Sequence, residues 1–257
     1  MQIVLIGSGN AATALGHLCY RGGNKILQVF GRNTETVLEL AKTLEAEPVF
    51  DYEAITLDAD LYIVALPDSV VPNLHEHFTL QKGLVVHTAG AVPMDALKIV
   101  SRNYGVLYPL QSLHKKLMAY SNIPLLVDGN TPEDKTLIAD FAATLSGKVA
   151  YANDEKRAKM HVAAVWVNNF ANHLYTIAWD YCSKEGLDFS LLLPMMEQTV
   201  NRIQVGKPGD FQTGPAIRGD EATMEKHLLL MEEMPEAKDL YRHLSDSIAA
   251  YHHKNQA

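Results

Sequence analysis

Long apolar runs are what this chain most plainly lacks. No stretch of 18 or more apolar residues occurs, so no transmembrane helix is expected. Met1 to Ile6 is apolar, but no basic segment precedes it and Gly7 interrupts it. That is not the pattern of a signal peptide, and a cytoplasmic location is the expectation. Cysteine is scarce as well: Cys19 and Cys182 are far apart, each in an apolar, helix-like stretch. They read as two buried thiols in a reducing compartment, not as a disulfide framework. No Cys-x-x-Cys spacing occurs and the histidines are scattered, so no metal is expected; His252-His253 reads as part of a solvated tail. Positive charge is also short. Lys+Arg 22 against Asp+Glu 30 gives −8, which leaves no electrostatic footprint for nucleic acid or an anionic membrane. A local basic pocket for one phosphate remains compatible with that balance.

What is present is a regular alternation in the first half. Ile3 to Ile6, Ile26 to Phe30, Val49-Phe50, Leu61 to Leu66, Leu84 to His87, Val106 to Tyr108, Ile123 to Val127 and Val149 to Tyr151 read as short, buried strands. Ala11 to Tyr20, Glu35 to Leu44 and about 133–146 read as helices. Strands alternating with helices imply a parallel sheet covered on both faces, doubly wound by right-handed crossovers. After residue 152 no convincing strand remains. Asp154 to Glu185 reads as one long helix without proline or glycine, followed by helices at Ser190–Val205, Glu221–Met231 and Glu236–Tyr251. The expected organisation is an α/β Rossmann domain, 1–152, followed by an all-helical domain, 153–257.

The chemistry starts at the first turn. Gly7-Ser8-Gly9-Asn10-Ala11-Ala12 follows a strand and opens a helix, the context that gives Gly-x-Gly-x-x-Ala its meaning. Gly7 permits a tight turn, Gly9 lets backbone approach a pyrophosphate, and Ala12 lets helix and strand pack closely. The helix N-terminus offers free N–H groups and a positive dipole end to phosphate. At the end of the second strand, where NAD sites usually place a carboxylate, stand Gly31-Arg32-Asn33-Thr34. A carboxylate would repel a 2′-phosphate, whereas Arg32 pairs with it, so NADP is the expected cofactor.

Other candidates lie at strand ends, where ligands of such sheets bind. Pro67-Asp68-Ser69, with Leu66 before it, and Thr88-Ala89-Gly90 would flank the nicotinamide ribose, and Tyr108-Pro109-Leu110-Gln111-Ser112 would face the substrate. On the long helix, His161, Asn168 and Asn172 fall within about 40° of one another at 100° per residue. Such a polar row on an Ala- and Val-rich helix suits a polar cleft, with His161 as acid or base and Asn168 on a substrate oxygen; a buried or dimer contact is the alternative. Arg218, in Thr213-Gly214-Pro215-Ala216-Ile217-Arg218-Gly219-Asp220, is a candidate to meet a substrate carboxylate or phosphate, with a structural Arg218–Asp220 loop as the alternative, and Asp220 reads as a helix N-cap. The catalytic set is His161, Asn168, Gln111 and Ser112, with Tyr108, Asn172 and Arg218 on the substrate side.

These motifs resemble those of a known group. Gly-x-Gly-Asn-x-Ala, Gly31-Arg32-Asn33 and the long helix after the sheet are similar to those of deazaflavin-dependent NADP reductases and pyrroline-5-carboxylate reductases. Ketopantoate reductases and 6-phosphogluconate dehydrogenases are more distant. Tyr108 through Ser112, His161 with Asn168-Asn169, and Thr213 through Asp220 more closely resemble a bacterial family in which a Rossmann-like domain precedes a helical domain of unknown function. The resemblance implies a homodimer formed through the helical domain. One departure stands out: the lysine that the hydroxyacid and ketopantoate branches carry four residues before the helix asparagine is Ala164 here. Their lysine mechanism therefore does not transfer. The leading expectation is an NADP-dependent oxidoreductase for a small carbonyl, imine or hydroxyl substrate. A non-catalytic NADP-binding sensor or scaffold, and reduction with a deazaflavin or flavin as hydride partner, are the alternatives.

Overall fold

A computed structural model describes residues 1–115 and 122–254. It divides into two compact units, Met1–Phe170 and Ala171–Ala257. Among the described residues no helix is long and apolar enough to cross a membrane.

The first unit is built on strands β1 (Gln2–Ile6), β2 (Lys25–Phe30), β3 (Glu47–Val49), β4 (Leu61–Val64), β5 (Leu84–His87), β6 (Asn103–Pro109), β7 (Leu125–Gly129) and β8 (Val149–Tyr151), in sheet order β3-β2-β1-β4-β5-β6-β7-β8. The strand order reverses beside β1, between β2 and β4, the switch point at which ligands of doubly wound sheets bind. Alternation along β1 sorts the two cores. Ile3 and Leu5 pack with Leu15 and Cys19 of α1 (Asn10–Arg21), Val37 and Leu40 of α2 (Thr34–Thr43), and Phe141 of α3 (Pro132–Leu145). Val4 and Ile6 point to the other face, among Tyr62, Leu74, Phe78 and Tyr104. That face is covered largely by loops and short 3-10 turns such as Val71–Glu76 and Met94–Leu97.

Two expectations about this sheet need correction. The pairing is parallel throughout except between β6 and β7, which run antiparallel, Leu107 opposite Val127. The described residues between them, 110–115 and 122–124, hold no helix. A parallel return needs a crossover of a dozen or more residues, usually helical, so the chain turns back on itself instead. The expected single helix after the sheet is also interrupted. It is α-helical in α4 (Asp154–Ala164) and α5 (Ala171–Glu185), with a π-helical segment at Val165–Phe170. A π turn takes in an extra residue, so the simple α count of facing residues fails beyond Val165.

The second unit holds α5, α6 (Leu193–Ile203), α7 (Pro215–Arg218), α8 (Glu221–Leu230) and α9 (Pro235–Lys254). Asp220 caps α8 as expected, its side chain accepting from Thr223 N at 3.1 Å. Lys184 pairs with Glu233, and His227 Nδ1 meets the Tyr241 hydroxyl at 2.8 Å. Among its described residues only Cys182 and Ala216 are buried. The change from mixed to purely helical sequence falls near residue 152, whereas the first compact unit also takes in α4 and the π segment.

Candidate functional site

Gly7 anchors the first loop. Its φ is +131°, and a Cβ there would stand 2.3 Å from the Ala65 carbonyl oxygen, so only glycine lets β1 and the end of β4 approach this closely. At Gly9 a Cβ would meet nothing within 4 Å: the loop faces open space. The N-terminus of α1 has no side-chain cap and no acidic residue in its first turn. Its N–H groups and positive dipole end are therefore free for an anion. Ala12 is fully buried, and a Cβ on Gly16 would stand 2.7 Å from Leu5 Cδ1, so small residues seat α1 on β1 as the motif implies. Ser8 Oγ and Thr36 Oγ1 are 2.7 Å apart, tying this loop to α2. Gly31 permits that approach, since a Cβ there would stand 2.8 Å from Ser8 Oγ.

Beside this loop the end of β2 carries Arg32. It is exposed and forms no ion pair with the described residues. Asn33 is occupied as the N-cap of α2, accepting from Thr36 N at 3.0 Å. The cationic group at this corner is thus Arg32, with no carboxylate from Gly31 to Thr34 to oppose it. An open glycine loop, an uncapped helix N-terminus and an unpaired arginine fit a dinucleotide carrying a 2′-phosphate.

A cleft of about 860 Å³ opens next to the N-terminus of α1. Asn10 and Ala11 line it on one side, Thr88 and Gly90 on a second. Tyr108, Gln111 and Ser112 form a third wall, and His161, Asn168 and Asn169 the wall of α4 and the π segment. One contact decides what the cleft can do. The Tyr108 hydroxyl lies 2.9 Å from His161 Nδ1. Gly90 makes that contact possible: a Cβ there would stand 2.7 Å from His161 Nδ1 and 3.2 Å from Tyr108 Cε2. Burial raises the Tyr108 pKa, the Asp68 carboxylate raises it further, and the Arg157 guanidinium acts against both. The phenol therefore stays protonated at neutral pH, as a proton donor.

The structure thus gathers Asn10, Ala11, Thr88, Gly90, Tyr108, Gln111, Ser112, His161 and Asn168 around one cleft. Leu66 instead packs against the core and Pro67 is exposed beyond the end of β4. Asn172 and Arg218 lie in the second unit, both exposed. Asp68, expected beside the nicotinamide ribose, lines the cleft. Two buried side chains nearby were not anticipated as site residues. Arg157, one turn before His161, is 1% exposed, and His87 at the end of β5 is fully buried. Arg157 sits in the run Asp154-Glu155-Lys156-Arg157, which as sequence reads as a solvated face.

A doubly wound sheet with an open Gly-x-Gly turn, Arg32 at the second strand and a cleft beside the turn defines a dinucleotide-dependent oxidoreductase fold. Comparison with known proteins agrees. Residues 2–90 match the family described as NADP oxidoreductase coenzyme F420-dependent, and residues 123–248 match a domain of unknown function, DUF2520. A Bacteroides fragilis protein, solved as a candidate NADP oxidoreductase, is 38% identical over 97% of this chain and 98% of its own, with a TM-score of 0.92. The chain belongs to this family of NADP oxidoreductases, in which the Rossmann part precedes DUF2520. Pyrroline-5-carboxylate reductase from Streptococcus pyogenes (15% identity, 97% and 98% of the two chains, TM-score 0.63) shares the fold. So does an imine reductase from Myxococcus stipitatus, solved with NADP+ (14% identity, 99% and 93%, TM-score 0.60). No curated protein matches. Nothing in these comparisons favours the non-catalytic sensor expected as an alternative.

Proposed function

We propose that this protein is an NADPH-dependent reductase of small carbonyl or imine compounds, running in reverse on the corresponding hydroxyl or amine. The observation that carries the reading is the 2.9 Å contact between the Tyr108 hydroxyl and His161 Nδ1, in a cleft that also reaches the N-terminus of α1. NADPH, when bound, supplies the hydride. The loop Gly7 to Ala12 and the free N–H groups of α1 hold the pyrophosphate, and Arg32 holds the 2′-phosphate. Tyr108 releases its hydroxyl proton to the substrate oxygen or nitrogen, and His161, through Nδ1, returns a proton to the phenolate oxygen. Gln111, Ser112 and Asn168 orient the substrate. Thr88 and Gly90 shape the wall beside the nicotinamide ribose. No lysine is needed, which accounts for Ala164.

A homodimer through the helical unit belongs to the same reading. Leu193, Met196, Val200 and Ile203 recur at helical spacing on α6, and the first, third and fourth are exposed. An apolar face of this kind is suited to a second copy. A cytoplasmic location, where NADPH is made available and both free thiols stay reduced, completes the picture. A second reading, with a deazaflavin as hydride partner, has one finding in its favour: the description of the family that matches residues 2–90.

The test is a panel of carbonyl compounds, imines and a deazaflavin, followed by NADPH absorbance. Tyr108→Phe and His161→Ala should each lower kcat by about 10²- to 10⁴-fold while NADPH still binds. Turnover untouched by both variants removes this pair from the mechanism.

A further inference from the structure

The largest fully buried side chain in the structure belongs to an arginine, Arg157 of α4. Its Nη2 donates to the Val92 carbonyl and, at 2.8 Å, to Asp154 Oδ1. Asp154 in turn accepts from the backbone N–H of Met94, 3.0 and 3.2 Å from its two oxygens. Arg157 and Asp154 therefore staple the first turn of α4 to residues 92–94, in the loop that follows β5. The same loop carries Gly90, the residue packed against His161 and Tyr108. His161 stands four residues after Arg157 on one helix face. The staple thus fixes α4, which carries His161, against the loop whose Gly90 packs on both His161 and Tyr108.

The arginine is poorly satisfied for a buried cation. Its Nε and Nη1 have no hydrogen-bond partner among the described residues. A buried charge with three of its five N–H donors unmet is a weak device for stability, since an apolar side chain of similar volume commonly does as well or better. Breaking a local rule beside a site is a mark of function.

We propose that Arg157 is a positioning residue of this site: with Asp154 it holds the loop after β5 against α4, and it keeps a fixed positive charge behind the Tyr108–His161 pair. The inference rests on the reading of Tyr108 as proton carrier given above. The groups that face Tyr108 are His161 and Arg157 from α4 and Asp68 from the loop after β4. His87 of β5, beside Arg157, has its pKa pushed down to about 4 and is neutral at pH 7. The guanidinium favours the phenolate and Asp68 disfavours it, so loss of the guanidinium should make Tyr108 harder to ionise.

Fluorotyrosine placed at position 108 and titrated by fluorine NMR reads this without a substrate. In Arg157→Met the midpoint should rise by about one pH unit. In Arg157→Lys, which keeps the positive charge, it should stay within a few tenths of the wild-type value; Asp154→Ala, which removes a carboxylate and leaves the guanidinium, should not raise it and should broaden the resonance as the staple is lost. An unmoved midpoint in a folded Arg157→Met overturns the proposal. So does a rise in Arg157→Lys as large as in Arg157→Met, because a purely structural role would move both alike. Arg157→Gln carries the same expectation and the same contradiction if Arg157→Met does not fold. Failure of the parent reading shows elsewhere, as turnover unaffected by Tyr108→Phe.

Discussion

At the residue scale, the same buried neighbourhood has a consequence for pH. His87 is held neutral first by burial and second by the Arg157 charge, with a pKa of about 4 against 6.5 in the unfolded chain. Its folded value is depressed, so the unfolded chain binds the proton first. The contribution is complete above about pH 6.5 and is lost as pH falls toward and through 4, worth up to about 3 kcal/mol. His87→Gln should therefore flatten the fall of Tm between these limits relative to wild type; parallel curves would contradict it. Legibility at this scale followed chemistry. Tyr108 and His161 were readable because a polar cluster at a strand end and an imidazole on an apolar helix are both unusual. Arg157 and His87 were not, because nothing in a charged run or at a strand terminus reveals which side chain turns inward.

At the scale of elements, the glycine loop separates folding from binding. Gly7 sits at φ +131° against the Ala65 carbonyl, whereas Gly9 faces open space. Gly7→Ala should cost about 2 kcal/mol or more of stability in denaturant unfolding. Gly9→Ala should leave stability within about 0.5 kcal/mol and weaken NADPH binding at least about tenfold, because the added methyl stands where the pyrophosphate must approach. Equal effects of both on stability would contradict the assignment. Strand and helix positions in this part of the chain were legible from apolar runs and glycine breaks. The antiparallel β6·β7 pair was not, since a buried strand has the same composition whichever way it runs. The π segment was hidden for a similar reason: Val165 to Phe170 has no proline or glycine to mark the change, and its effect is on register, which composition does not record. Met160, Ala163, Val167 and Asn169 reach the cleft wall together with His161 and Asn168, a wider arc than one α-helical stripe.

At the scale of the molecule, the two units differ in how they bury apolar surface. The first closes two cores around its sheet. The second leaves Trp179, Leu191, Leu193, Val200, Leu229 and Leu230 exposed. If a second copy covers such residues, sedimentation equilibrium should return about twice the 28.4 kDa of one chain, and Leu193→Asp with Val200→Asp should shift it toward the monomer. A wild-type monomer at micromolar concentration would remove the dimer from this reading. The division into a mixed and a helical half was legible from the loss of strand patterns after residue 152, but which helical surface stays uncovered depends on packing that no local pattern reports.

In the reading proposed above, Arg32 beside the glycine loop selects NADP. Fluorescence titration of the protein tests this most directly. NADPH should bind at least about tenfold more tightly than NADH, as expected for a charged hydrogen-bonded pair of about 1.5–3 kcal/mol, and Arg32→Ala should bring the two affinities together. Equal affinity for NADPH and NADH in the wild-type protein would contradict it.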